Sequence, residues 1–507
     1  MSVPQPDGVS YWVASAPPTA YPALTGRVDV DVAIVGAGLV GITTAWLLKR
    51  AGLTVAVLEA RRAAAQVTGR TTAKITALHG LALGEIAAKH GEAAARLYAE
   101  ANTTALAWIA RTVSEEQIAC DFESRDAWLF SEQPEGRARL QAEAGLCQRL
   151  GLPASFEPAA PLPFATTGAL RLASQAQFHP VKYLQALLTA IPGHGSHVFE
   201  NSRVTQVNEK DATLQANGGL VRARHVLIAT GLPFLNRGGY FATTAPYGDP
   251  VVVAALHPSV AAQAPDGLFI GIDEAGHTVR TADGGRLLVV SGETYKTGQA
   301  DTREQLALLE RWLRSHFRLE RIEYRWTNED FDSADLLPFV GHLTAATPAV
   351  WIATGLSGWG MTNGTVAALI LADRVRGLSN RWADLFDSRR WHPMAAAPRF
   401  FKENLNAAGE WVRDHLLPGE LGGAARLGAD EAAILQSGAG KIAAYRDHAG
   451  ALHVVSASCP HMHCIVSWNG VDRTWDCPCH GSRFGIDGAV INGPALTGLN
   501  RIKRDRA

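Results

Sequence analysis

The sequence predicts an α/β domain with an interleaved α+β part, followed by a small all-β domain. At 507 residues the chain is too long for one ordinary core, so two or three domains are expected. Near its start, an apolar run leads directly into the glycine-rich turn GAGLVG and then into helical spacing. Near its end, residues 458–484 contain four of the six cysteines and three of the seventeen histidines. The two ends therefore predict different chemistry.

Composition and charge narrow the class of protein. Hydrophobic residues make up 47% of the chain and charged residues 19%, with a formal net charge of -1. This balance provides no overall field that would attract nucleic acid or an anionic membrane. No apolar run approaches the roughly 20 residues needed to cross a bilayer, and the N-terminal residues lack the basic and then apolar order of a secretory signal. We therefore expect a cytoplasmic protein with no nucleic-acid partner and no membrane span.

The glycine-rich turn lies in the context of a dinucleotide-binding site. The run DVDVAIV before it is typical of a strand buried on both faces, and TVAVLE forms a second such strand after the helix. Gly36 permits the tight turn, Gly38 lets the backbone approach a pyrophosphate, and Gly41 allows close contact between helix and strand. Glu59 follows Gly36 by 23 positions, where a carboxylate can bind ribose hydroxyls. The alternative is a glycine-rich turn that binds no nucleotide, and the motif alone does not separate NAD from FAD.

Later segments carry a family resemblance. The order VTGRTTAKITALHG, QFHPVKYLQAL, VRARHVLIATG, LPFVG and VWIATGLSGWGMTNGTVAALILADRV resembles the D-amino-acid-oxidase-like family of FAD-dependent oxidoreductases. The resemblance implies an FAD-binding (Rossmann-like) α/β domain over residues 28–376, with an α+β substrate domain interleaved over roughly 82–325. The free N–H groups of a helix that opens near Met361 suit the negative charge of a reduced flavin. The implied FAD-binding residues are Gly36, Gly38, Gly41, Glu59, Thr71, Thr72, Val204, Gly231, Gly360, Met361 and Thr362.

The cysteine and histidine window has the spacing of a metal site. The sequence C-P-H begins at Cys459 and C-P-C-H ends at His480, and each places its ligands on one loop tip. The fifteen residues between His461 and Cys477 are enough for two strands and a turn, so the two loops can converge. Two cysteines and two histidines could also hold zinc, which the ligand types alone leave open.

The wider pattern resembles a Rieske domain. C-P-H-x-x-C is followed by C-P-C-H-G-S-R-F and then by G-x-V-x-N-G-P-A. The resemblance implies that Cys459 and Cys477 bind one iron of a 2Fe-2S cluster, while His461 and His480 bind the other. The GSRF and NGPA segments shape the cluster lid in Rieske domains and have no role in a zinc knuckle, so the pattern favours the cluster over zinc.

Further positions in the window follow from the same resemblance. Cys464 and Cys479 match the positions where cytochrome-bc-type Rieske domains have a disulfide. His463 stands where the family usually has glycine, and we interpret it as an exposed side chain rather than a fifth ligand. Phe484 replaces a tyrosine that is common in high-potential relatives, but Ser482 can still bond a sulfide. We therefore expect an intermediate potential within about -150 to +300 mV.

The boundaries of the C-terminal unit follow from strand-like runs and Gly-containing turns. They predict a small all-β Rieske domain over residues 421–507 and a connector over residues 377–420. The connector contains no Gly/Ser-rich linker. Instead it predicts a helix that docks on the flavin domain through one apolar face. That face consists of Phe401, Leu405, Ala408 and Val412.

The two implied cofactors predict an enzyme. A flavin takes two electrons as a hydride, whereas a Rieske cluster carries them singly. We expect an FAD-dependent oxidoreductase that oxidises a C–N bond of a small amine or amino acid and passes electrons through the cluster to an electron-acceptor protein. Lys74 is the candidate catalytic residue, and a structural, salt-bridged lysine is the alternative. If Trp326 rather than Arg325 faces the pocket, an amine without a carboxylate is favoured, but a one-residue slip of register exchanges the two.

Other functions that use the same cofactors differ in their sequence requirements. An NADH-dependent reductase would need a second glycine fingerprint after a strand, and the sequence shows none. A Rieske oxygenase would need a mononuclear iron site with two histidines and a carboxylate, and no convincing motif for one is present. A non-catalytic redox sensor or electron-transfer protein remains the alternative.

Overall fold

The computed structural model describes residues 8–390, 406, 423–437 and 440–502. The N-terminal part combines an α/β unit with a large mixed sheet, and the C-terminal part contains small antiparallel sheets. This architecture confirms the predicted fold class. Within the described ranges, no helix is long and apolar enough to cross a membrane.

A six-stranded sheet forms the centre of the α/β unit. All residues of strands Val32–Val35 and Val55–Leu58 are buried, as expected for a sheet that is covered on both faces. The strands are parallel except for Phe339–His342, which pairs antiparallel at one edge. Helices Leu39–Arg50 and Gly360–Val375 both start at the carboxyl edge and pack on each other. The strand order is Phe339–His342, Val350–Thr354, His225–Ile228, Val32–Val35, Val55–Leu58 and His197–Phe199.

A four-stranded sheet packs on one face of this sheet. Its buried residues Leu214 and Val221 share a hydrophobic cluster with Val35 and Leu58 of the larger sheet. The shared cluster fixes the two sheets as layers of one domain. The strand order is Arg27–Asp29, Gly219–Arg222, Thr213–Ala216 and Val204–Asn208.

The strands of a ten-stranded mixed sheet come from two parts of the chain, one between the second and third strands of the six-stranded sheet in chain order and the other just before its last two. Its long strands Thr244–Leu256 and Leu319–Ser333 pair antiparallel, while Leu268–Gly271 pairs parallel with Glu123–Ser131. Two strands lie outside the linear strand order: Leu319–Ser333 pairs with Thr244–Leu256, and Ala154–Glu157 pairs with Gly168–Gln177. In that linear order the strands are Tyr295–Lys296, Thr244–Leu256, Leu287–Ser291, Thr278–Ala282, Leu268–Gly271, Glu123–Ser131, Gly168–Gln177 and Lys74–Ile75.

The alanine-rich segment after the nucleotide motif forms a helix pair, Ala82–His90 and Glu92–Glu115, as predicted. The buried residues Tyr98, Ala105 and Trp108 of the longer helix recur at helical spacing, so one face packs on the core. The other helices are Tyr11–Ala14, Val67–Arg70, Gly136–Arg149, Pro180–Thr189, Tyr240–Thr243 and Thr302–His316, with 3-10 turns at Pro258–Gln263 and Ala424–Arg426.

The connector falls largely outside the described residues. The predicted docking helix, with Phe401, Leu405, Ala408 and Val412, lies outside them. Asn406 is described, and its Oδ1 accepts a hydrogen bond of 2.7 Å from Gln299 Nε2. The boundaries 377–420 and 421–507 therefore stay predictions.

The C-terminal domain consists of a three-stranded and a four-stranded antiparallel sheet. The fifteen residues between the two Cys/His loops form the predicted hairpin, Ser467–Asn469 with Thr474–Asp476. Trp475 and Phe484 are fully buried in the core beside the cysteines. The strands are Glu431–Ser437, Gly440–Arg446 and Leu452–Ser456 in one sheet, and Ser467–Asn469, Thr474–Asp476, Arg483–Phe484 and Val490–Asn492 in the other.

Buried ion pairs join the two domains. Arg483 is 4% exposed, and it forms ion pairs with Asp472 at 2.9 Å and with Asp476 at 2.8 Å. Asp472 also accepts hydrogen bonds from Arg70 at 2.5 Å and from the Thr327 hydroxyl at 2.6 Å, both in the N-terminal domain. Because a buried charge is costly without its partners, this network favours one arrangement of the domains.

We predict that Arg483→Gln lowers the free energy of unfolding by about 3 kcal/mol or more, because it removes the counter-charge of the buried Asp476 and leaves Asp472 with Arg70 alone. The matched control is Arg501→Gln, which removes an ion pair with Asp487 whose arginine side chain is 74% exposed. That control should cost about 0–1 kcal/mol. Urea denaturation of both variants measures the difference, and equal losses would contradict a structural role of the network.

Candidate functional site

The glycine turn has the geometry of a phosphate-binding site. Strand Val32–Val35 ends at Gly36, and Gly38 precedes helix Leu39–Arg50. A Cβ atom on Gly41 would lie 2.0 Å from the carbonyl oxygen of Gly36, so only glycine allows this approach of helix and strand. The helix therefore starts at the carboxyl edge of the sheet, where a pyrophosphate would bind.

Glu59 ends the second buried strand as the sequence predicted. Its side chain is 9% exposed. Oε2 accepts the Ala37 N–H at 3.0 Å and Oε1 accepts the Arg61 N–H at 2.9 Å. Burial raises the pKa of the Glu59 carboxyl, against the opposing effect of these hydrogen bonds and of Arg203. The carboxyl lies beside the glycine turn, where ribose hydroxyls of a dinucleotide would lie.

A cleft with about 1530 Å³ of empty space, counted out to its open mouth, starts at this turn. It follows the carboxyl edge of the six-stranded sheet, which is where dinucleotides bind in such folds. The three other predicted residues do not line the cleft. Gly41 packs against the carbonyl oxygen of Gly36. Thr72 accepts a hydrogen bond from Lys74, and the Thr362 hydroxyl donates one to the Thr76 carbonyl. The predicted residues that line the cleft are Gly36, Gly38, Glu59, Thr71, Val204, Gly231, Gly360 and Met361. The cleft thus fits FAD.

Two further polar residues of the cleft lie on strand Leu319–Ser333. Asp330 Oδ2 accepts the Gly358 N–H at 2.7 Å, which holds the turn before helix Gly360–Val375. Burial raises the pKa of Asp330 to about 7. The buried Oδ1 of Asn328 has no hydrogen-bond partner among the described residues. Sequence reasoning missed both residues, although their alternation in TNEDFD was a signal for one face of a strand.

Lys74 is fully buried beside the start of helix Gly360–Val375. Its Nζ donates to Thr278 Oγ1 at 2.8 Å and to Thr72 Oγ1 at 3.1 Å. Burial, together with the nearby Arg280, lowers the pKa of Lys74 well below its ordinary value. The segment that follows Lys74 contacts the helix start, where the His79 ring stacks on Trp359 at 4.6 Å between centroids. Lys74 itself is not among the residues that line the cleft, whereas Thr71, three positions before it, is.

The register of strand Leu319–Ser333 places the side chains of Arg325 and Trp326 on opposite faces of the strand. Arg325 Nε donates to Glu310 at 2.6 Å, on the side away from the core. Trp326 is fully buried, and its Nε1 donates to the Arg70 carbonyl at 2.7 Å. Trp326 therefore faces the interior. Within the described ranges, neither side chain lines the cleft.

The four predicted cluster ligands come together in the C-terminal domain. A hydrogen bond between the thiols lowers the pKa of Cys459 to about 7 and raises that of Cys477. The rings of His461 and His480 lie 4.9 Å apart between centroids. Burial lowers the pKa of both imidazoles, to about 4 for His480, so both are neutral at neutral pH.

Each histidine has an unsatisfied buried nitrogen. Nδ1 of His461 and Nδ1 of His480 are buried and have no hydrogen-bond partner within the described part of the chain. A buried polar atom without a partner is costly, so a bound metal is the natural partner for both. Two paired thiols and two free imidazole nitrogens fit a Rieske cluster.

Cys464 and Cys479 form a disulfide, as the sequence predicted, with 6.5 Å between their Cα atoms. The Cys477 sulfur lies within 4.8 Å of both disulfide sulfurs. These three sulfurs do not form a metal site, because a disulfide offers no thiolate. His463 is exposed, in agreement with its interpretation as a bystander.

The N-terminal domain covers the histidine side of this site. Asn236 Oδ1 lies 3.0 Å from His461 Nε2 and accepts its hydrogen when Nδ1 binds a metal. The Phe241 ring contacts both imidazoles, at 6.3 Å from His461 and 5.5 Å from His480 between centroids. Sequence reasoning missed Asn236 and Phe241, because nothing local in the sequence connects them to residues more than 200 positions away.

Comparison with known families agrees with both sites. The family model described as FAD dependent oxidoreductase matches residues 31–374. The chain belongs to this FAD-dependent oxidoreductase family. The model of the Rieske 2Fe-2S domain matches residues 420–503. The oxidoreductase therefore has FAD and a 2Fe-2S cluster as cofactors, and the cluster rather than zinc explains the Cys/His site.

Two relatives and one solved structure are similar to this oxidoreductase. The putative Rieske 2Fe-2S iron-sulfur protein YhfW of Bacillus subtilis (strain 168) is 32% identical over 98% of both chains. Gamma-glutamylputrescine oxidoreductase of Escherichia coli (strain K12) is 26% identical over 76% of this chain and 92% of its own. The crystal structure of glycine oxidase from Geobacillus kaustophilus superposes with a TM-score of 0.58 at 18% identity, over 72% of this chain and 100% of that chain. The last comparison shows the shared fold.

The neighbouring histidines His461 and His463 allow a matched test of the predicted ligands. We predict that His461→Gln abolishes the 2Fe-2S signal in electron paramagnetic resonance, because it removes a ligand, while FAD absorbance is retained. His463→Gln should keep iron, acid-labile sulfide and signal at wild-type levels. An intact cluster in His461→Gln, or its loss in His463→Gln, would contradict the assignment.

Proposed function

We propose that this flavoprotein oxidises a C–N bond of a small amine or amino acid at its FAD site and passes the electrons singly through its Rieske cluster. When bound, the flavin accepts a hydride, and the 2Fe-2S centre carries one electron at a time. The observation that supports the proposal is a single strand, Leu319–Ser333, which contacts both cofactor sites.

The two faces of that strand are turned to different cofactors. Asn328 and Asp330 line the FAD cleft. Thr327 and Glu329 alternate with them and contact the C-terminal domain. Because side chains alternate along a strand, one backbone separates the two sites. An electron therefore needs to cross little more than one strand.

The cluster loop lies directly against this strand. A Cβ atom on Gly481, which follows the ligand His480, would lie 2.8 Å from Glu329 Oε1 and 3.2 Å from Phe331 Cε1. Gly481 has a φ of +70°, so glycine is favoured here for its conformation as well as for space. Phe331 also lines the FAD cleft. It thus spans the gap between the cleft and the ligand loop.

The substrate side of the cleft favours an amine. Lys74 is buried and its lowered pKa favours the neutral amine, which can accept a proton from a substrate ammonium. That proton transfer leaves the neutral substrate amine, whose C–H bond could then give up a hydride to the bound cofactor and leave an iminium ion. Arg325, a candidate for clamping a substrate carboxylate, is engaged by Glu310. Because Arg325 is paired in this way and does not line the cleft, we favour substrates without a carboxylate.

Anaerobic stopped-flow mixing with a panel of amines and amino acids tests the proposal. We predict that an amine bleaches the flavin at 450 nm in a first phase and that cluster reduction follows in a second phase. A His461→Gln sample, which lacks the cluster, should show the first phase without the second. If no substrate bleaches the flavin but a protein partner reduces the cluster, the chain is a redox sensor or electron-transfer protein instead.

Lys74→Met tests the role of the buried lysine. Loss of a general base should slow flavin reduction by about 100-fold or more. In the wild type, reduction should slow as the pH falls through the depressed pKa of Lys74, because the protonated lysine cannot accept a proton. The variant should lack this acidic limb, whereas Lys182→Met, which removes an ion pair with Asp121 elsewhere, should match the wild type. If the rate of flavin reduction in Lys74→Met still fell at low pH as in the wild type, another group would be responsible for that fall.

A further inference from the structure

The FAD cleft has walls from both domains. One wall comes from the N-terminal domain, with Gly36, Glu59 and Val204. The other includes Ile491, Asn492, Gly493, Ala495 and Leu496 of the Rieske domain. These five residues belong to the segment 490–496, which we name the closing loop. An FAD-binding domain without a Rieske domain would lack this wall.

Arg203 connects the two walls. It lines the cleft in the N-terminal domain, next to Val204. Its Nη2 donates to the carbonyl oxygens of Val490 at 2.9 Å and Ile491 at 3.3 Å. Its positive charge also lowers the pKa of the Glu59 carboxyl, against the effect of burial. Arg203 therefore holds the closing loop over the end of the cleft where Glu59 lies, which is the ribose end of a bound dinucleotide.

Apolar packing supports the same placement. Leu496 packs against the hydrophobic cluster of the nucleotide-binding sheets that contains Val35 and Leu58. A side chain of the Rieske domain thus extends the core of the N-terminal domain directly beside the glycine turn. Removal of this contact would free the loop from the cleft even with Arg203 in place.

The closing loop is also tied to the cluster. The Ala495 N–H donates to Ser482 Oγ at 3.0 Å, and the Ser482 hydroxyl also contacts the thiol of the cluster ligand Cys459. Strand Val490–Asn492 pairs with Arg483–Phe484, which directly follows this serine. The loop is therefore held at one end by the cluster site and at the other by Arg203.

We propose that the closing loop is part of the FAD-binding site, and that Arg203 and Leu496 are the positioning residues that hold it over the adenosine half of the cofactor. The Rieske domain then retains FAD as well as carrying electrons. The proposal concerns cofactor binding, so it does not depend on which substrate is oxidised.

The test measures the release of FAD from the purified holoenzyme by the rise of free-flavin fluorescence after dilution. Arg203→Met keeps the apolar stem but removes the donors to the loop. We expect release about tenfold faster, which corresponds to about 1.4 kcal/mol. The matched control, Arg222→Met, removes an exposed arginine that pairs with Asp29 away from the cleft, and it should release FAD at the wild-type rate.

Leu496→Ala provides an independent variant that leaves Arg203 in place. It should also accelerate FAD release severalfold, while the iron content and the circular dichroism of the cluster stay at wild-type values in both variants. If Arg203→Met fails to fold, Leu496→Ala decides alone. Wild-type release from Leu496→Ala and from any folded Arg203→Met, or equal acceleration in Arg222→Met, would overturn the proposal.

Discussion

The buried charge of Arg483 is the constraint on which the arrangement of the two domains depends. It forms ion pairs with Asp472 and Asp476 inside the Rieske domain. Asp472 in turn binds Arg70 and Thr327 across the domain boundary. A buried ion pair contributes little stability by itself, but any other docked arrangement that kept Asp472 or Arg70 buried without its partner would be costly. The network therefore favours this docked arrangement over other buried ones.

Because the Rieske domain is docked on the N-terminal domain, strand Leu319–Ser333 contacts both the FAD cleft and the cluster loop. If the Rieske domain moved away, the cluster ligand His480 and the neighbouring Gly481 would leave Phe331 and Glu329. The closing loop would leave the FAD cleft in the same motion, since it belongs to the same small sheet. The proposed electron transfer and the proposed retention of FAD therefore share one geometric requirement, which is the docked position of the Rieske domain.

The features of the two cofactor sites that could be predicted from sequence are those that lie within short segments of the chain. GAGLVG with Glu59, and the two Cys/His loops with their hairpin, are encoded within short windows where spacing alone determines geometry. Arg203 and Val490 lie 287 positions apart, so no window contains their contact. The sequence left open whether Arg325 or Trp326 faces the pocket for another reason, because strand register depends on pairing with Thr244–Leu256. Long-range contacts therefore set the parts of the site that distinguish this chain.

Strand Leu319–Ser333 has two acidic residues between the two cofactor sites. Ionised carboxylates there would oppose reduction, since both cofactors gain negative charge when they are reduced. Glu329 faces the cluster and Asp330 faces the FAD cleft. Burial raises the pKa of each to about 7, far above that of an exposed carboxyl. Below that pH both groups are largely protonated, so the strand adds little negative charge between the two electron carriers. The same burial that joins the domains thereby lowers the negative charge on the proposed path between flavin and cluster when the pH is below about 7.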